Sequence, residues 1–196
     1  MTTATISPAS RDDVAAMAAL HIGTIDEGFL SSLGEPVLRP LYRRVLLDPG
    51  SFALVARDAG DVTGFVAVST DLRSLYRSFA LRDGARVGIA LVPRLGSSWR
   101  RILETARYGG GDTVPGVPQA EVLAVGVATG QRGSGIGTQL VQSALDELSR
   151  RGCDGVRVVT GADNLPALSL YERCGFARLH SVEVHAGTRS EVLVWS

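Results

Sequence analysis

Residues 121–138 read EVLAVGVATGQRGSGIGT, and the rest of the chain can be arranged around this stretch. Its first part, from Glu121 to Ala128, predicts a β-strand. A glycine-rich turn follows, after which apolar residues recur every four positions, at Ile136, Leu140, Ala144 and Leu148. This period predicts an amphipathic helix that ends near Arg151. The strand therefore passes through a glycine-rich turn directly into a helix.

The turn itself has the composition of an anion-binding loop. Gly133, Gly135 and Gly137 alternate with small or apolar residues where the chain changes direction. Without Cβ atoms, the backbone can adopt unusual dihedral angles and let a ligand come close. The first N–H groups of the helix have no partner within it, and the helix dipole favours negative charge there. A phosphate or pyrophosphate would suit this loop.

Two familiar phosphate loops are excluded by the sequence. A Walker-type loop needs lysine, and all twenty basic residues of this chain are arginine. A dinucleotide fingerprint needs Gly-x-Gly-x-x-Gly, whereas the spacing here is Gly-x-Gly-x-Gly. From the loop alone, a tight strand–helix turn that binds nothing stays open as an alternative.

A second motif, NLPALSLYERCGF, occupies residues 164–176. Asp163 or Asn164 can cap a helix that runs from about Leu165 to Cys174, and Pro166 suits its first turn. Gly175 can supply a left-handed turn after this helix, and Phe176 then begins a strand. From these residues alone, Asn164 could be only a cap and Tyr171 only a packed ring.

Taken together, the two motifs resemble those of the GNAT superfamily of acetyl-CoA-dependent N-acetyltransferases. The resemblance rests on Arg132-x-x-Gly135-x-Gly137 after a strand and on the second motif. It implies that the amides of residues 132–138 bind the pyrophosphate of coenzyme A. It also implies that Asn164 hydrogen-bonds the pantetheine arm and that Tyr171 is the general acid, because a phenol stays protonated at neutral pH. Ser134 stands where the family often has a basic residue.

The resemblance also assigns a role to the strand. In GNAT proteins this strand splays from the next one, and pantetheine lies in the gap like an added strand. A bulge at Gly126 is hypothesised to free an N–H for the oxyanion. The residues expected to contact the coenzyme are Val125, Gly126, Val127, Arg132, Gly133, Ser134, Gly135, Ile136, Gly137, Thr138, Asn164 and Tyr171.

Glu121 is a candidate general base. A period of two along the strand predicts that Glu121 and Val127 share one face. Some family members use a glutamate at this position to deprotonate the attacking amine, while the alternative is a solvated glutamate at a strand end. His21, Asp26 and Glu27 mark a region expected to form the rim of the acceptor site.

The fold class expected is α/β (α+β), with one domain over residues 1–196. Its central sheet is predicted to be mixed and mostly antiparallel, with six to seven strands flanked by helices. The coenzyme-binding part covers about 119–180, and about 71–117 is a helical insertion. The remaining predicted elements are an edge strand at 3–7, a capping box at 10–13, a helix at 37–47, a hairpin at 52–69, a strand at 155–160, and final strands at 176–184 and 189–195.

Charge and composition limit the partners. Twenty basic and twenty acidic residues cancel, so neither nucleic acid nor an anionic membrane is expected as a partner. No apolar run is long enough to span a bilayer. Cys153 and Cys174 are predicted to be thiols in a reducing cytoplasm, and three scattered histidines offer no metal-ligand spacing.

The function expected is transfer of acetyl from acetyl-CoA, as co-substrate and without a metal, to a primary amine of a small molecule by direct attack. Residues 71–107 hold eight arginines against three acidic residues, which suits an amino sugar or a nucleotide-linked amino sugar, or else forms a solvated face. Alternatives are transfer of another acyl group, transfer to a hydroxyl, or a silent acyl-CoA-binding sensor. A homodimer is left open.

Overall fold

The computed structural model describes residues 4–25, 34–91, 117–185 and 188–196. Its strands are β1 (Thr5–Pro8), β2 (Ser51–Asp58), β3 (Asp61–Ser69), β4 (Glu121–Val127), β5 (Val156–Gly161), β6 (Ala177–His185) and β7 (Thr188–Trp195). Its helices are α1 (Val14–Thr24), α2 (Glu35–Leu47), α3 (Leu72–Leu91), α4 (Ile136–Arg150) and α5 (Leu165–Arg173). Short 3-10 turns cover Arg11–Asp13 and Thr129–Gln131.

All seven strands form one sheet in the order β1-β2-β3-β4-β5-β7-β6. Among the described strands, only β4 and β5 run parallel, and the other neighbours are antiparallel. The prediction of a mixed, mostly antiparallel sheet is confirmed, as is the placement of β1 at an edge. The single parallel pair requires a crossover connection, which α4 provides.

Each face of the sheet buries its own hydrophobic core. On one face, α4 and α5 contribute residues such as Leu140 and Leu168, which pack on Val66 and Val68 of β3. On the other face, α1, α2 and α3 pack on the alternate residues of β3, which include Phe65. We call these the α4–α5 face and the α1–α3 face. The strand period of two is what sends neighbouring β3 residues into different cores.

Two local predictions are confirmed at the level of hydrogen bonds and dihedral angles. The β2–β3 hairpin turns at Ala59 and Gly60, which both have positive φ (50° and 97°), as a two-residue turn between twisted strands requires. At the start of the first helical segment, the N–H and the hydroxyl of Ser10 both donate to the Asp13 carboxylate, at 2.7 and 2.8 Å. This is the predicted capping interaction.

Some predictions concern residues outside the described part of the chain. Asp26 and Glu27 of the expected acceptor rim lie there, as does the stretch 92–116 of the arginine-rich insertion. The part of the insertion that is described contains the whole of α3, whose Arg73, Arg77 and Arg82 are exposed. Within the described ranges, none of the helices combines the length and the hydrophobicity needed to cross a membrane.

Candidate active site

The strands β4 and β5 separate almost as soon as they meet. They pair only at Glu121 with Arg157 and at Val122 with Val158. Beyond Val122, β4 stays paired with β3 as far as Val127, while β5 stays paired with β7. The two strands therefore diverge and leave an opening in the sheet, which we call the β4–β5 cleft. The predicted splay is confirmed.

The hydrogen-bonding pattern of β4 shows which backbone groups face this cleft. The N–H of Ala128 donates to the carbonyl of Thr63, at 2.8 Å, in the antiparallel ladder with β3. Residues of such a ladder alternate between facing their partner strand and facing away from it. The N–H and C=O groups of Val125 and Val127 are therefore directed into the cleft, and those of Gly126 are directed to β3.

The bulge hypothesised at Gly126 is wrong. The ladder is regular from Gly64 opposite Val127 to Ala67 opposite Ala124, and the register shift comes next, where Val68 pairs with Val122. Leu123 is therefore the extra residue. Because Gly126 lies in the regular part, its N–H is used by the sheet and is not free for an oxyanion.

Position 126 requires a glycine for a different reason, which is lack of space for a side chain. A Cβ atom at this position would lie 2.6 Å from Cε1 of Phe65, which is too short for a real contact, and 3.0 Å from Oγ1 of Thr24, which is tighter than most. The ring of Phe65 and the last turn of α1 thus pack directly on the strand backbone. The glycine allows the α1–α3 face to close against the wall of the cleft.

The bulge at Leu123 also corrects the predicted position of Glu121. An extra residue reverses the alternation of side chains along a strand. Glu121 and Val127, which are six positions apart on either side of the bulge, therefore lie on opposite faces of the sheet. Val127 packs on the α4–α5 face. Glu121 lies on the α1–α3 face, where its charge acts on the Tyr76 hydroxyl of α3. The prediction that Glu121 and Val127 share a face is therefore wrong.

The glycine-rich turn is exposed and opens α4. Gly133 and Gly135 have φ of 77° and 88°, in the left-handed region, and Gly135 is the N-cap residue. The first helical bond runs from the N–H of Gln139 to the carbonyl of Gly135, at 3.0 Å. The N–H groups of residues 136–138 consequently have no acceptor in the described helix, which is the arrangement that binds anions.

Two amides of the predicted row are already used. The N–H of Arg132 donates to Thr129 and that of Ser134 to Gln131, at 3.3 and 3.4 Å. The Arg132 guanidinium donates to the carbonyl of Thr24, at 3.1 Å, and so ties the loop to the end of α1. This contact could not be predicted from the sequence, because the spacing of the motif carries no information about distant partners.

The second motif adjoins the first one. Leu170 of α5 lies 3.5 Å from the position that a Cβ atom would occupy at Gly137, and Val127 lies 3.7 Å from it. The first turn of α4 is thus packed between α5 and the end of β4. At the start of α5, Oδ1 of Asn164 accepts a hydrogen bond from the N–H of Ala167, at 3.2 Å, so Asn164 is a helix cap.

Tyr171 lies one residue beyond Leu170 and is buried on the α4–α5 face. Its ring packs on Phe176, with centroids 5.4 Å apart. Burial, followed by the nearby Cys174, raises the pKa of the Tyr171 hydroxyl, so the phenol is protonated at neutral pH. Within the described ranges, this hydroxyl makes no hydrogen bond to protein.

Glu121 and Arg157 form an ion pair at the closed end of the cleft. Nε of Arg157 lies 2.8 Å from Oε2 of Glu121, and the side chains are 26% and 17% exposed. Burial raises the pKa of Glu121, while the charge and the hydrogen bond of Arg157 oppose that rise. The glutamate could be selected from the sequence, but the arginine could not, because its position opposite Glu121 depends on the strand register.

A buried histidine supports the α1–α3 face. Nδ1 of His21 shares a hydrogen bond with the Tyr42 hydroxyl, and its ring stacks over Phe65. Burial lowers the pKa of His21 to about 4. His180 is exposed. In the part of the chain that is described, no three His, Cys, Asp or Glu side chains are grouped closely enough to hold a metal ion.

Comparison with known proteins agrees with this geometry. The family model described as Acetyltransferase (GNAT) family matches residues 24–176, which is most of the chain. The chain belongs to this family. Both motifs and the cleft lie inside the matched region.

Curated relatives match over shorter segments. The mycothiol acetyltransferase of Kocuria rhizophila is 38% identical over 86 residues, which is 44% of this chain and 26% of that protein. The mycothiol acetyltransferase of Clavibacter sepedonicus is 45% identical over 58 residues, which is 30% of this chain and 19% of that protein. The matches thus span about a quarter or less of the relatives' length.

Solved structures share the fold over nearly the whole chain. Arabidopsis thaliana NAA60 in complex with acetyl-CoA has a TM-score of 0.62 at 17% identity, with 98% of each chain covered. The ribosomal-protein-S18-alanine N-acetyltransferase of Escherichia coli has a TM-score of 0.60 at 14% identity, with 97% of this chain and 92% of that chain covered. At these identities the likeness concerns the fold.

Proposed function

We propose that this N-acetyltransferase moves an acetyl group from acetyl-CoA to a primary amine of a small molecule. The observation that carries the proposal is the β4–β5 cleft. Its β4 wall presents backbone groups that pair with no described strand, and it opens beside an exposed helix N-terminus. A thioester with a long amide-bearing arm and a diphosphate fits these two features. The arm needs backbone partners, and the diphosphate needs N–H donors.

The residues present fit acetyl-CoA without further assumptions. The amides of Gly133 and of residues 135–138 would bind the pyrophosphate, and the backbone of Val125 and Val127 would pair with the pantetheine amides. Ser134 lacks the charge common at this position, but the amides do not depend on it. Asn164 is proposed to contact the pantetheine arm in addition to capping α5, and Arg132 contributes through the position of its loop.

The reaction proposed is direct attack. A neutral amine attacks the carbonyl carbon of the thioester, the C–S bond breaks, and the sulfur leaves as a thiolate. Tyr171 is proposed as the general acid, which gives its proton to that sulfur. The nitrogen that becomes the amide gives up its extra proton to solvent, from which the tyrosinate is reprotonated. An alkylammonium group is mostly protonated at neutral pH, so a base must first remove a proton. Glu121 is proposed as that base, acting directly or through water.

The two substrates would reach the reaction from opposite faces of the sheet. The pyrophosphate loop and Tyr171 belong to the α4–α5 face, whereas Glu121 lies on the α1–α3 face. The amine is therefore proposed to approach over α1 and α3, where a carboxylate meets it. An amino sugar, a nucleotide-linked amino sugar or a mycothiol-related amine suits such an approach. The free thiols of Cys153 and Cys174 suit work in the cytoplasm.

The proposal is tested by the release of free coenzyme A thiol from acetyl-CoA in the presence of a panel of amines. The panel contains amino sugars, nucleotide-linked amino sugars and mycothiol-related amines, each matched with the corresponding hydroxyl compound. Release without acceptor is subtracted. We expect release with at least one amine and none with its hydroxyl partner. Binding of acetyl-CoA without turnover of any amine would contradict the proposal, as would transfer only to hydroxyls.

A further inference from the structure

The ion pair between Glu121 and Arg157 lies at a special place in the sheet. It joins one of the two residue pairs at which β4 and β5 are paired in the sheet. One residue pair further along, the strands part and the cleft begins. The guanidinium therefore bridges the two walls of the cleft at the point from which they diverge, on the α1–α3 face.

The surroundings of Glu121 leave Arg157 as its positive partner among the described residues. On β3, the residue opposite Glu121 is Ser69, whose buried hydroxyl is bonded to Ser51. On α3, burial and then the charge of Glu121 raise the pKa of the Tyr76 hydroxyl. Tyr76 in turn interacts with Tyr42, whose hydroxyl shares a hydrogen bond with His21. Both of these groups are neutral. Thus the cation on β5 compensates the carboxylate.

We propose that Arg157 is a positioning residue, which holds the Glu121 carboxylate at the closed end of the cleft on the face where the acceptor amine arrives. This inference rests on the proposed function of Glu121 as the base. Arg157 acts through Glu121 and need not touch either substrate. A carboxylate that has one fixed bond to Nε keeps its other oxygen available for a proton, and the strand register fixes its position.

The sign of the expected effect follows from the two opposing influences on Glu121. The carboxylate accepts a proton only when it is ionised, so the rate rises with pH through its pKa. Burial raises that pKa, and Arg157 opposes the rise. Without the guanidinium, nothing from Arg157 opposes the rise that burial causes in the pKa of Glu121. The acidic limb of the profile of kcat/KM against pH must then move to higher pH.

The test compares Arg157→Met and Arg157→Lys with wild-type enzyme, using acetyl-CoA and an amine acceptor from the panel. We expect Arg157→Met to move the acidic limb upward by about one pH unit or more, the effect typical of losing an adjacent opposite charge. Arg157→Lys keeps a charge and should restore most of the original profile. Arg178→Met is the matched control, because it breaks an exposed ion pair with Glu172 instead.

A double variant shows whether Arg157 acts through Glu121. In Glu121→Gln enzyme, adding Arg157→Met should move the profile no further. An unchanged limb in Arg157→Met, or a shift that persists in the double variant, would overturn the proposal. Urea unfolding of wild type, the two single variants (Glu121→Gln and Arg157→Met) and the double variant gives an independent readout. Arg157→Met should lower the unfolding free energy more in wild-type protein than in Glu121→Gln protein. In wild-type protein it leaves a buried carboxylate without its partner, which is costly.

Unfolding also separates this inference from the proposed function. If wild-type enzyme acetylates no amine, the proposed function fails, and the coupling in unfolding still decides whether Arg157 holds Glu121. If amines are acetylated but the two substitutions prove independent, the positioning role fails alone. Should Arg157→Met not fold, Arg157→Lys and the double variant, which leaves no unpaired charge, provide the same comparison.

Discussion

The backbone N–H of Phe176 donates to the carbonyl of Tyr171, at 3.0 Å, while the two rings pack with centroids 5.4 Å apart. Gly175 between them has φ of 90°, and its N–H donates to Glu172, at 3.1 Å. These are the two bonds and the hydrophobic contact of a Schellman motif. The spacing Tyr-x-x-x-Gly-Phe is thus a helix stop that fixes the direction of the tyrosine ring.

Because the ring is held by packing, the hydroxyl of Tyr171 can be removed without disturbing the fold. Tyr171→Phe should lower kcat by about a hundredfold or more, the range typical of a lost general acid. KM for acetyl-CoA and the urea midpoint should change little, since the hydroxyl has no bond to the described protein. Phe176→Ala should instead reduce stability, by about 3 kcal/mol or more. A normal kcat in Tyr171→Phe would remove this residue from the mechanism.

The left-handed glycines allow a test of the pyrophosphate loop with a matched control. Gly135 and Gly152 both have positive φ, and a Cβ atom at either would meet nothing within 4 Å. Alanine at either site should cost about 1 kcal/mol in unfolding free energy, because of backbone strain alone. Only Gly135→Ala should weaken coenzyme A binding measured by calorimetry. Equal affinities in the two variants would argue against amide binding at the loop.

Gly126 makes a different prediction, which depends on space and not on dihedral angle. Gly126→Ala forces Phe65 and the last turn of α1 away from the cleft wall, so we expect a loss of about 1–3 kcal/mol in unfolding free energy. The acceptor KM should rise more than the acetyl-CoA KM, because the α1–α3 face is the one displaced. Gly84→Ala on α3 is the control, since a Cβ atom there meets nothing within 4 Å. A stable Gly126→Ala with unchanged kinetics would contradict this packing.

Local signals in the sequence predicted the elements well. The four-residue repeat of α4, the Asp-Ala-Gly-Asp turn of the hairpin and the Gly-Phe stop after α5 each depend on neighbours in the chain. The splay between β4 and β5 was predicted only through the family resemblance. Within the site, the loop and Tyr171 could be selected because glycine spacing and a helix stop are both local patterns.

The errors came from information that is not local. The bulge at Leu123 lies in a continuous run of apolar residues, which gives no sign of an extra residue. Its place depends on how β3 and β4 pair, and it decides the face on which Glu121 lies. Arg157 and the contact between Arg132 and Thr24 likewise depend on register and packing between distant segments. Gly126 was predicted to matter because of a bulge, whereas the structure shows that it makes room for the Phe65 ring.

His21 predicts how the stability of the enzyme depends on pH. Its pKa is lowered to about 4 in the folded protein, from an ordinary value of 6.5. Below about pH 6.5 the unfolded chain therefore binds a proton that the folded protein does not bind until the pH nears 4. The unfolding free energy is highest above pH 6.5 and falls as the pH drops toward 4. Between about pH 7 and about pH 5, this single group should cost about 2 kcal/mol. His21→Gln should lose that part of the dependence in urea unfolding, whereas His180→Gln, at an exposed histidine, should keep it. An identical pH dependence in His21→Gln and wild-type enzyme would mean that the imidazole is protonated inside the fold.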